Sequence, residues 1–125
     1  MTTFVKILAA LPGVMMLMNG IMLVVQPGQA VESLGMTLQE GMGLSSQLGD
    51  TTAFFVGTAL FIFHGAWKPE GNGLLAGASL LVLVAIFRVL ATVLHGATFA
   101  GLFIGVELVS AAWLIGAWFY LRKNV

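Results

Sequence analysis

The chain has 125 residues, 59% of them hydrophobic and only 8% charged, with a mean hydropathy of +1.03. That balance excludes an ordinary water-soluble domain. Five basic and five acidic residues cancel, so nothing favours nucleic acid as a partner, and the absence of cysteine excludes disulfide exchange, thiolate metal sites and haem attached through cysteine.

The first predicted helix covers residues 4–25, FVKILAALPGVMMLMNGIMLVV. It is too long and uninterrupted for the core of a cleavable signal peptide, so it is expected to cross the membrane, which takes about 20 apolar residues. Pro12 either opens the regular helix or kinks it. Beyond Lys6 at its start, Asn19 is the only strongly polar residue inside it. Pro12, Met15, Met16, Asn19, Met22 and Gln26 recur at helical spacing and share a face rich in flexible thioethers. Methionine at that spacing reads as adaptable core rather than as a metal site.

Residues 26–49 form the one long connection. Pro27-Gly28 breaks the first helix, and QAVESLGM predicts a short interfacial helix with Val31 and Leu34 against lipid and Glu32 toward water. Gly35, Gly41 and Gly43 then predict irregular backbone, with Met36, Leu38, Met42 and Leu44 folding back as an apolar lid. The second long helix is expected over residues 45–67. Ser45 is preferred as its cap over Asp50, because the longer helix reaches spanning length and carries Asp50 inside it. Asp50, Gly57 and His64 then share a face. KPEGNG is a turn.

The third long helix covers residues 73–95, with Gly77, Leu81, Ala85, Arg88, Thr92 and His95 along one stripe. The fourth covers 98–121 and ends in Arg122-Lys123. Its polar stripe is Glu107 and Ser110. Gly101, Gly105, Ala112 and Gly116 make a small-residue stripe roughly opposite, suited to helix packing or to an oligomer or partner contact. The expected fold is therefore all-α: one domain, residues 1–125, forming an integral membrane four-helix bundle with a short interfacial segment between its first two helices. Lys6, Lys68, Arg122 and Lys123 fall on one side of such a bundle, which puts both termini in the cytoplasm, in a bacterial inner membrane.

Arg88 lies roughly 10 Å below the His95-Gly96 turn and Glu107 roughly 14 Å below it, at 1.5 Å per residue. An antiparallel hairpin brings them within side-chain reach, and neither charge tolerates lipid alone. Asn19, Asp50 and His95 are expected at similar depth, and buried polar groups need partners. The five residues Asn19, Asp50, Arg88, His95 and Glu107 thus form a candidate ligand-binding cluster for the head of a lipid, quinone or other amphipathic molecule. The bland alternative makes Arg88–Glu107 a buried ion pair that only fixes register, and His95 a helix-end residue complementing the dipole. No catalytic residue, metal site or cofactor emerges. HxxxH and EExxH spacings, a nucleophile elbow and a phosphate loop are all missing from the sequence. A small proton-coupled transporter is disfavoured, because Arg88 would hold Glu107 ionised. An accessory subunit of a larger membrane complex, docking through the fourth helix, is the second reading.

Arg88, His95-Gly96 and Val106-Glu107-Leu108, with looser matches at residues 27–35 and 49–57, resemble an uncharacterised group of small four-helix bacterial membrane proteins similar to the DoxX-like superfamily. The chain departs from that pattern at His95, where Asp is common, and at Asp50, where a small residue is usual. The resemblance implies the four-helix architecture, a functional Arg and Glu, and an association with quinone- or sulfur-linked redox complexes.

Overall fold

The computed structural model describes residues 1–124. Five α-helices account for nearly all of them: α1 (Thr2–Val25), α2 (Pro27–Ser33), α3 (Gly41–Trp67), α4 (Gly73–His95) and α5 (Gly101–Lys123). The expected four-helix bundle is therefore corrected: there are five helices, of which α2 is the short one expected in the connection after α1, and three rather than four are long and apolar enough to cross a membrane: α1, α4 and α5. Length is not what α3 lacks, since it is the longest. It begins at Gly41, upstream of both Ser45 and Asp50, and the Gln47, Asp50 and His64 that it carries dilute its hydropathy.

The exterior of the molecule is apolar. Phe4, Ile7, Met18, Val24, Leu60, Phe87, Val93, Leu102, Val109 and Phe119 are all exposed on α1, α3, α4 and α5. A water-soluble monomer does not present apolar surface on that scale, whereas a hydrocarbon phase solvates it. With three helices of spanning length, the chain is built as a small membrane protein.

Contacts run from α1 to α3, α3 to α4, α4 to α5 and back from α5 to α1, the last seam being the sparsest. Each neighbour is antiparallel. Gly13 of α1 faces Ile62 and Phe63 of α3, while Gly20 faces Val56. Gly65 and Gly73 meet backbone to backbone where α3 and α4 cross. A Cβ on Gly73 would lie 2.6 Å from the Phe61 carbonyl oxygen. Helices in lipid gain little from hydrophobic association and rely on such close approach. The inner face accordingly mixes alanines (Ala9, Ala59, Ala66, Ala78, Ala111) with Ile62, Leu74, Leu81 and Leu114.

Gln26 ends α1 and Pro27 opens α2, its missing N–H falling where no helical acceptor exists. Contrary to the interfacial reading, Val31 does not face lipid. It is buried with Leu23 and Ala30, and Leu34, Met36, Leu48 and Phe55 pack around them. Gly35 and Gly41 adopt positive φ (79° and 57°) and turn the chain back into α3.

Pro12 sits inside α1 and deprives the Leu8 carbonyl of its helical donor. Trp113 of α5 supplies the replacement, its indole Nε1–H donating to Leu8 O at 2.7 Å. A local defect thereby becomes the bond that fastens α1 to α5. The coupling is measurable as a double-mutant cycle in detergent micelles. Trp113→Phe is expected to cost about 1 kcal/mol beside Pro12, and close to nothing in a Pro12→Ala background, where the N–H restored at that position serves the Leu8 carbonyl. Equal losses in both backgrounds would mean that the bond does not stand in for the donor that Pro12 lacks.

Candidate functional site

Arg88 and Glu107 come together because α4 and α5 are joined by a turn of a few residues that starts at Gly96 (φ 68°), a left-handed position where glycine carries no Cβ penalty. Arg88 Nε donates to both carboxylate oxygens of Glu107 at 3.1 Å each. The contact is made by Nε alone. Among the described residues, Nη1 and Nη2 meet no protein acceptor. The Phe103 ring, one turn before Glu107 on α5, has its centroid 5.0 Å from Arg88 Cζ and supports the guanidinium.

The pair is not sealed in. The Arg88 side chain is 31% exposed and that of Glu107 12%, and the opening is a cleft of about 280 Å³. α1 contributes Pro12, Met15, Met16 and Asn19 to it, α3 contributes Phe54 and Phe55, and α5 contributes Leu102, Phe103 and Ser110. Ser33, the last residue of α2, and Leu34 cover one side. The cleft is mostly apolar, with Arg88 its one cation and Glu107 its one anion. No known protein family, curated protein or solved structure matches this chain.

The structure divides the five candidate ligand residues. Asn19, Arg88 and Glu107 line one cleft. Asn19 turns its Nδ2 to its own helix, donating to Met15 O at 3.0 Å, which leaves Oδ1 as its free polar atom. Asp50 is exposed and lines an adjoining cleft of about 330 Å³, which shares Leu34, Phe54, Phe55, Arg88 and Glu107 with the first. His95 stands apart. It ends α4, exposed, and contributes to neither cleft, because Arg88 lies two turns back toward the centre of the helix.

The small-residue stripe of α5 also lies elsewhere than in a helix contact. Gly101, Gly105, Ala112 and Gly116 are all exposed, and a Cβ on Gly105 or Gly116 would meet open space. The glycines that admit a neighbouring helix are Gly13, Gly20, Gly65, Gly73 and Gly77.

Sequence reasoning missed the aromatic lining and the fastening of the lid. Phe103 and Glu107 are four residues apart, and that spacing on α5 was the available signal. Gln47 has no comparable signature. Its Oε1 accepts from Gln39 N and its Nε2 donates to Thr37 O, both at 3.0 Å, clamping the segment that follows α2 onto α3.

As a chemical device the site offers unpaired guanidinium donors beside a carboxylate and the Ser110 hydroxyl, an arrangement that can hold a polar group. Because Arg88 keeps partial access to the cleft, Arg88→Leu is expected to destabilise by about 1–3 kcal/mol, below the about 3–5 kcal/mol for a fully buried pair. Arg88→Leu/Glu107→Leu should recover part of that loss in detergent unfolding. A double variant whose loss equals the sum of the Arg88→Leu and Glu107→Leu losses would show that the two side chains do not interact energetically.

Proposed function

We propose that this small membrane protein binds an amphipathic molecule, a lipid or a quinone, whose polar head lies against Arg88–Glu107 and whose tail follows the methionine face of α1. One observation carries the reading: a mostly apolar cleft reaches an ion pair that still has donors to give. At about 280 Å³ it is near the lower end of ligand pockets, roughly 300–1,000 Å³. It suits a head group and the first carbons of a tail, the remainder continuing along exposed Leu102 toward the hydrocarbon. Met15 and Met16 suit a flexible chain because thioethers repack at low cost.

The basic residues support an orientation. Lys6 at the start of α1, Lys68 after α3, and Arg122 and Lys123 at the end of α5 share one end of the antiparallel array. There Arg122 Nη1 donates to Asn72 Oδ1 at 3.3 Å and Trp118 Nε1 to Gly71 O at 3.4 Å. By the positive-inside tendency this end faces the cytoplasm in a bacterial inner membrane, and both termini share it because the more polar α3 runs back through the array between α1 and α4. The cleft then lies toward the opposite face. Kinship with the DoxX-like group belongs to the same proposal and rests on Arg88, His95-Gly96 and Glu107.

The exposed Gly105, Ala112 and Gly116 favour a second reading, an accessory subunit docked through α5 or a homo-oligomer. Native mass spectrometry from mild detergent separates the two. A retained amphiphile is expected in the wild type and its loss in Ser110→Phe, which fills the cleft. A retained protein chain, with no small molecule in either variant, would replace the first reading by the second. For orientation, a cysteine in place of Lys68 should react with an impermeant maleimide only from the cytoplasmic side. Labelling from the other side would invert the assignment.

A further inference from the structure

The charge and donor balance of the cleft says which kind of head group it takes, an inference that rests on the reading of the cleft as an amphiphile site. Glu107 receives one N–H of Arg88 on both its oxygens, and the pair together carries no net charge. The other cations are not available: Lys6, Lys68, Arg122 and Lys123 belong to the far end, and none lines the cleft. What remains at the cleft is a surplus of donors without a surplus of charge. Arg88 Nη1 and Nη2 have no acceptor among the described residues, Ser110 adds a hydroxyl, and Ser33 has committed its own to Ala30 O at 2.8 Å.

We infer that the cleft selects an uncharged, carbonyl-bearing head group over a phosphate or carboxylate. An anion entering it is drawn by Arg88 and repelled by Glu107, whose carboxylate is bonded to the same guanidinium. It also surrenders its hydration in an apolar setting, which is the expensive part. A neutral carbonyl loses little hydration and accepts the Nη donors without facing that repulsion. Phe103 beneath the guanidinium and the edge-to-face pair Phe54–Phe55, at 5.4 Å, supply an apolar wall for the skeleton that carries it. Two sources share this chemistry: the ring carbonyl of a quinone and the ester carbonyl of a neutral glycerolipid.

The experiment uses the purified full chain in detergent micelles with three probes: decylubiquinone, dioctanoylglycerol and dioctanoyl phosphatidate. Binding in the cleft is taken as the part lost in Ser110→Phe, which discounts phosphate held at the basic end. At least one neutral probe is expected to bind about tenfold more tightly than phosphatidate, a difference of one decade in Kd. Whichever neutral probe wins identifies the source. Glu107→Gln leaves Arg88 an acceptor while giving the cleft a positive charge. It should improve phosphatidate binding about tenfold and leave the neutral probe within a few-fold. Arg88→Met/Glu107→Met, which keeps the volume without charge and serves if Glu107→Gln does not fold, should weaken the neutral probe about tenfold. Phosphatidate binding as tightly as the neutral probes in the wild type overturns the head-group inference and leaves the amphiphile site standing. So does unchanged neutral binding in the double methionine variant. If no probe distinguishes the wild type from Ser110→Phe, the amphiphile reading itself falls, and this inference with it.

Discussion

A guanidinium set in an apolar helix must find a carboxylate, and Arg88 finds one on the helix that follows. That requirement fixes the register of α4 against α5, because the two side chains meet only when the helices descend from the Gly96 turn side by side. It also decides what the site has left to offer. The bond uses Nε and both carboxylate oxygens, so the guanidinium is neutralised without being satisfied. Charge is balanced at this point and hydrogen-bonding capacity is not.

The remaining seams use other devices, each answering a defect or a freedom in the sequence. Gly65 and Gly73 let the backbones of α3 and α4 touch, while Gly13 and Gly20 admit side chains of α3. Pro12 leaves Leu8 O without its helical donor and Trp113 fills the gap, tying α1 to α5 toward the basic end. Of the seams between long helices, that of α1 and α5 is the sparsest. The cleft lies there, with Met15 and Asn19 on one wall and Phe103 and Glu107 on the other. A site between two helices needs them held firmly in one place and loosely in another, and the Trp113–Leu8 bond marks where the firm part lies.

The segment between α1 and α3 covers this opening without being a free loop. Val31 and Ala30 are buried against Leu23, and Gln47 clamps residues 37 and 39 onto α3. Its backbone leaves helical geometry around Gly35 and Gly41. Ser33 and Leu34, at the boundary of α2, thus border the cleft from a segment anchored on both sides.

The sequence by itself determined the phase this chain inhabits and most of its helical extents, since apolar runs of spanning length leave few alternatives. It also brought Arg88 near Glu107, because a short turn between two long helices dictates which residues sit at equal depth. It did not reveal how the helices are rotated about their own axes. In a soluble helix the apolar stripe points inward and reports the rotation, but here nearly every face is apolar and the stripe vanishes. That is why Gly101, Gly105, Ala112 and Gly116, legible as a packing face, turned out to be exposed, and why Val31 turned inward instead of toward lipid. The sequence likewise could not tell that Asn19 shares a cleft with Arg88 whereas His95 does not. Depth along a helix follows from counting residues, but which side chains face one another across α1 and α5 follows only from packing. The seat of α2 was decided there as well. Burial of Val31 and Ala30 beside Leu23 holds α2 in place, whereas so short a segment has too few internal hydrogen bonds to be stable as a helix alone.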